Sequence, residues 1–190
     1  MMVRLTRSQS QAQTRERLIA SARALFSREG FAATSVERIA EEAGYSKGAV
    51  YSNFGGKEQI FLAALHAEGG EHMAALLGPL SQVASAKAAI DLLANWANAC
   101  AASGNWPLTL LEYAWQVQGD DASLQRQQAI LRAYWQQLGA CLIARFPDVG
   151  CDPQTIGALL FELAYAPALS PLREPTPGSL VRLVLEKWLI

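Results

Sequence analysis

Cysteine is scarce: Cys100, Cys141 and Cys151 are the only three in 190 residues. That is too few for a disulfide framework, shows no CxxC spacing, and suits buried packing in a reducing cytoplasm. Histidine is scarcer, with two residues, His66 and His72. No run of about 18 uncharged apolar residues occurs, so no membrane-spanning helix is expected. The longest apolar tract, Ala158 to Leu169, carries Glu162. The N-terminus has basic residues but lacks the apolar segment of a secretory signal. The β-branched residues Val, Ile and Thr number only 22, while Ala and Leu dominate, which disfavours sheet and favours helix. Charge is thin at 17%, yet a hydrophobic fraction of 51% excludes a disordered chain. There is no Gly-rich phosphate loop, no GxSxG elbow and no His-based catalytic motif. An enzyme is therefore not expected, and neither is a cofactor.

What charge there is lies unevenly. Residues 1–60 hold nine Lys/Arg against six Asp/Glu, whereas residues 61–190 hold seven against eleven. A net charge of −1 thus conceals a modestly basic front end suited to a polyanion.

Residues 1–10, with Arg4 and Arg7, have no apolar period and read as a loose arm. A first helix is predicted from Gln11 to Glu29, with Leu18, Ala22, Leu25 and Phe26 on one face and Gly30 as its stop. Thr34 or Ser35 caps a second helix whose buried stripe is Val36, Ile39, Ala40 and Ala43. Gly44 ends it, and after Tyr45 alone Ser46 opens a short third helix, Lys47 to Asn53. Two helices joined by a tight glycine turn within about twenty residues form a helix-turn-helix pattern. Gly55-Gly56 precedes a fourth helix, Lys57 to Leu77, with a kink expected at Gly69-Gly70 and a boundary at Gly78-Pro79. Further helices are predicted over 85–102, ended by Ser103-Gly104, and over 107–118, 122–145, 153–165 and 179–190. Prolines 167, 171, 175 and 177 exclude regular helix between the last two. The fold class is all-α, about nine helices: a small N-terminal three-helix bundle followed by a larger C-terminal one.

The stretch from Thr34 to Phe61, TSVERIAEEAGYSKGAVYSNFGGKEQIF, resembles the DNA-binding segment of the TetR family of transcriptional regulators. The helix before it, with Ala24-Leu25-Phe26 and then Gly30-Phe31-Ala32-Ala33, resembles that family's first helix and its exit. One departure is Asn53, where the family often has His before the Phe. The resemblance covers residues 12–72, taken as the DNA-binding domain with its helix-turn-helix at about 35–54, and leaves 73–190 as a ligand-binding and dimerisation domain. It implies phosphate contacts near Val36, Ser52 and Lys57, and base or backbone contacts from Tyr45, Ser46, Lys47 and Gly48. The residues themselves agree. Ser46, Gly48 and Ala49 give the third helix a small face that fits the major groove. Lys47, its only charge, suits guanine or a phosphate, or is merely solvated. Tyr51 and Asn53 carry phosphate donors. Thr34, Ser35 and Lys57 lie at helix N-termini, which favour anions, although capping alone accounts for Thr34.

His66 and His72 do not share a helix face, and Glu68 with His72 supplies only two ligands, so no metal site is expected. The aromatics Trp96, Trp106, Tyr113, Trp115, Tyr134 and Trp135 fall in helices five to seven near Glu112 and Gln116. They suit either packed core or an apolar effector pocket with a few orienting polar groups. Ile156, Leu160 and Leu163 of helix eight, with Leu180, Leu183, Val184 and Trp188 of the last helix, suit a four-helix homodimer interface. Two subunits then place two recognition helices one or more DNA turns apart on a palindromic operator, roughly 34–36 Å per turn. The expected function is a cytoplasmic DNA-binding repressor released by a small apolar or aromatic effector; the alternative is a regulator whose C-terminal bundle binds a protein partner instead.

Overall fold

The computed structural model describes residues 6–102, 104–169 and 172–190. Arg4, Ser103 and Pro171 lie outside these. Among the described residues there are nine α-helices and no strand. They are α1 (Arg7–Ala33), α2 (Val36–Ala43), α3 (Lys47–Phe54), α4 (Lys57–Ser81), α5 (Ala86–Ala102), α6 (Trp106–Gln116), α7 (Asp121–Arg145), α8 (Pro153–Tyr165) and α9 (Pro177–Leu189). Two short 3-10 turns, Pro147–Val149 and Ala166–Leu169, complete the path. None of these helices is long and apolar enough to cross a membrane.

Three local expectations change. The arm gives way to helix at Arg7, because Thr6 and Gln9 form a reciprocal capping box that satisfies two N–H groups at the helix start. The helix α4 runs through Gly69-Gly70 and past Gly78-Pro79 to Ser81. Leu76 and Leu80 are buried on one face of it, and Ser81 Oγ donates to the Gly78 carbonyl, so burial carries the chain past a proline already in the last turn. At Gly69 the absent side chain makes room for Tyr134 of α7, whose ring a Cβ there would strike. The glycine is a packing site in a continuous helix.

Two apolar cores result. The first gathers Leu18, Leu25 and Phe26 of α1, Ile39 of α2, Val50 and Phe54 of α3, and Ile60 and Phe61 of α4, together with Trp106 and Tyr113 of α6. Phe26, Phe31, Phe61 and Tyr113 meet ring to ring at 4.5–5.8 Å. Residues 12–72 therefore do not close this core alone; α6 completes it. The second core joins the far half of α4 to α5, α7, α8 and α9. Helices α7 and α8 cross with backbones in contact, since a Cβ at Gly139 would meet the Pro153 carbonyl and one at Gly157 the Trp135 carbonyl.

Candidate nucleic-acid interface and buried cavity

Ser35 caps α2 by accepting the Arg38 N–H at 3.2 Å. Gly44 takes the left-handed conformation, φ 75°, that lets the chain reverse within two residues. Tyr45 then packs half-buried on the first core, and Ser46 sets the start of α3 without using its hydroxyl as a cap. Val50 and Phe54 anchor α3 inward, which leaves Lys47, Gly48, Tyr51 and Ser52 exposed on the opposite face. Lys47 pairs with Glu37 of α2 at 2.5 Å and lies near the Tyr51 ring. Each partner favours the other's charged form, raising the lysine pKa and lowering that of the carboxyl.

Several candidate contacts face inward instead. Thr34 is buried, its hydroxyl donating to the Gly30 carbonyl at 2.7 Å, so it neither caps α2 nor reaches solvent. Val36 is buried and offers only backbone. Asn53 donates its amide back to the Ala49 carbonyl at 2.8 Å, and Ser52 donates to the same oxygen at 3.1 Å. Lys57 turns from the expected phosphate position to the end of α1, donating to the Ala32 carbonyl at 3.3 Å with its ammonium 4.3 Å over the Phe31 ring. Burial lowers its pKa. Arg15 was missed: its guanidinium donates to the Asn53 carbonyl at 2.7 Å and covers Phe54, closing the C-terminal end of α3. No local pattern links positions 38 residues apart.

A cavity of about 120 Å³ lies among α4, α6, α7 and α8. Leu65 and Gly69 of α4, Trp106 and Leu110 of α6, Tyr134 and Trp135 of α7, and Phe161 and Tyr165 of α8 form much of its wall, with Glu68, His72 and Glu162 as further ionisable groups beside the two tyrosines. Tyr134 donates to the His66 carbonyl at 2.7 Å, and burial pushes its phenol up to about 12. Arg23 of α1 forks onto Glu71 at 2.6 Å and reaches Glu68 at 2.8 Å, while Glu68 also meets His72 at 3.3 Å. The wall is thus tied to the first helix by a guanidinium.

Of the proposed pocket residues, the structure brings Trp106, Tyr134 and Trp135 together. Trp96 stands behind them, edge-on to Phe161 at 5.7 Å. The other four lie elsewhere. Tyr113 is fully buried in the first core. Trp115 and Gln116 face outward, Trp115 being 77% exposed. Glu112 accepts the Phe31 and Ala32 N–H groups at 2.7 and 3.2 Å, capping the chain where Gly30, φ 82°, breaks α1. Thr109 donates to the Phe26 carbonyl and Asn105 N–H to that of Ser27, so three consecutive turns of α6 are fastened to the end of α1. Of the proposed dimer residues, Ile156 and Leu160 are wholly buried within the one chain and unavailable to a partner. Leu163, Leu180 and Val184 are half-buried, and Leu183 and Trp188 are exposed.

Residues 18–64 match the family model described as bacterial regulatory proteins, tetR family. The likeness to that family therefore lies in the N-terminal part of the chain. Over 50 residues the chain is 48% identical to the HTH-type transcriptional regulator YerO of Bacillus subtilis, covering 26% of this chain and 17% of that protein. A 50-residue segment is 38% identical to the HTH-type transcriptional repressor AcnR of Corynebacterium efficiens, covering 26% and 27%. Across nearly the whole length the chain shares its fold with a TetR-family transcriptional regulator from Pectobacterium atrosepticum (22% identity, 98% of both chains, TM-score 0.68). It also shares it with FadR of Bacillus subtilis, solved in complex with stearoyl-CoA (21%, 92% of this chain and 97% of that one, TM-score 0.68).

Proposed function

We propose that the protein is a sequence-specific DNA-binding transcriptional regulator, acting as a homodimeric repressor that a small ligand releases from its operator. One observation carries the reading: Gly44 turns the chain so that α3 presents Lys47, Gly48, Tyr51 and Ser52 to solvent while Val50 and Phe54 lock it to the core. A short helix with a small, polar outer face held rigidly by its inner one suits the major groove. Two relatives, each matched over 50 residues, are themselves named as an HTH-type transcriptional regulator and an HTH-type transcriptional repressor.

The ligand enters this reading through the cavity. Its volume of about 120 Å³ approaches the roughly 150 Å³ space that holds benzene. Its walls include α4 and α6, both of which reach the DNA-binding part: α4 begins at Lys57, and α6 grips α1 through Glu112 and Thr109. A ligand that displaces either wall shifts α1 and with it the spacing of two α3 helices across a dimer. The second subunit is assigned to the outward side of α8 and α9, where Leu183 and Trp188 stand exposed beside half-buried Leu163, Leu180 and Val184. A second reading, in which the C-terminal bundle binds a protein, is favoured by the exposed stripe Leu108, Leu111 and Trp115 along α6.

Fluorescence anisotropy with an operator duplex and a random duplex tests the DNA reading. Lys47→Ala is expected to cost about 1–3 kcal/mol on the operator and less on random DNA if the lysine meets a base. Equal losses on both assign Lys47 to a phosphate, and failure of the unaltered protein to discriminate the two duplexes overturns the reading. Ligand-driven release separates the effector reading from the protein-partner one.

A further inference from the structure

The cavity has a chemical bias that its apolar character hides. Five aromatic rings line it, those of Trp106, Tyr134, Trp135, Phe161 and Tyr165, beside the carboxylates of Glu68 and Glu162 and the imidazole of His72, which lies 3.3 Å from Glu68. Neither Lys nor Arg lines it among the described residues. Arg23, in contact with the lining residue Glu68, is shared between Glu68 and Glu71, so one guanidinium answers two carboxylates. Glu162 makes no ion pair among the described residues. Glu162 stands at the exposed rim of the cavity, where its carboxylate attracts a cation and repels an anion, and the aromatic faces inside carry the negative lobe of the ring quadrupole.

We infer that the cavity selects a small organic cation, an aromatic ring bearing an ammonium group, with the ring among Trp106, Tyr134 and Trp135 and the charge directed to Glu162. The inference rests on the effector reading above and narrows it from an apolar ligand to a cationic one. It also sets the site against ligands that carry carboxylate or phosphate groups, for which no lysine or arginine among the described residues lines the cavity.

Isothermal titration calorimetry of the full chain with three probes of similar shape tests it. These are benzyltrimethylammonium, its uncharged carbon isostere neopentylbenzene, and the anion 4-tert-butylbenzoate. The cation is expected to bind at least about tenfold more tightly than either other probe. Glu162→Gln should remove most of that preference, and Glu162→Arg should turn it toward the benzoate. Equal or tighter binding of the neutral or anionic probe overturns the cationic assignment while leaving the cavity as an effector site. Silence of all three at millimolar concentration overturns the cavity itself, without touching the DNA-binding reading. A full preference retained in a folded Glu162→Gln protein overturns the role of Glu162.

Discussion

Lys47 stands on the outer face of α3, yet it is already engaged by Glu37. DNA must therefore displace a carboxylate to reach it. Replacing Glu37 with Gln removes a negative charge from the surface turned to phosphates and frees the lysine. Glu37→Gln is expected to tighten binding to random duplex and to steepen the dependence of affinity on salt by about one counterion; anisotropy at several salt concentrations checks this, and unchanged affinity would show that the pair already opens freely. Tyr134 gives a second test at this scale. Its phenol is raised from 10 to about 12 because burial disfavours the phenolate. A raised pKa means that the folded state holds the proton more tightly, so this group's contribution is intact below about pH 10 and is lost as pH rises through about 12. Stability curves from pH 9 to 12 should fall less steeply for Tyr134→Phe than for the unaltered chain, with the same protein losing the late step in a tyrosine absorbance titration.

At the scale of helices, what was legible in the sequence were the elements that local chemistry decides. Ser35 and Gly44 mark their helix ends as expected because a cap needs only its own neighbours. The groups that escaped are those whose partners lie far along the chain. Glu112 looked like a pocket residue because it sits among aromatics, but its partners are N–H groups some 80 residues earlier. Lys57 looked like a phosphate contact because it opens a helix, but the broken end of α1 offers it a carbonyl. Gly69-Gly70 read as a kink because glycine weakens a helix, whereas Gly69 answers to the Tyr134 ring and Gly70 has open space beside it. The two glycines therefore predict opposite outcomes. Gly70→Ala should raise stability by about 0.5–1 kcal/mol through helix propensity. Gly69→Ala should lower it by about 1–3 kcal/mol by forcing Tyr134 aside. Chemical denaturation of the two variants decides it, and equal gains from both would show that Gly69 is not held by the Tyr134 ring.

At the scale of the whole molecule, the division of labour follows from which surfaces are left over. Leu160 and Ile156 hold one chain together, so Leu160→Glu would unfold it rather than split a dimer. The residues free to meet a second copy are Leu183 and Trp188 on α9. Leu183→Glu with Trp188→Glu is expected to yield folded monomers by light scattering, with operator affinity greatly reduced; a variant that remains dimeric would move the interface to another face, with the α6 stripe next in line. Two copies joined there hold two α3 helices at a fixed separation, and that separation is what an operator must match. The most direct test is selection of duplexes from a random pool by the full chain, followed by affinity and stoichiometry on the enriched sequence. The account predicts a palindrome with half-sites one or more helical turns apart, bound by an even number of chains about a thousandfold or more tightly than random DNA. No enriched sequence, or enriched and random duplexes bound equally well, would contradict it.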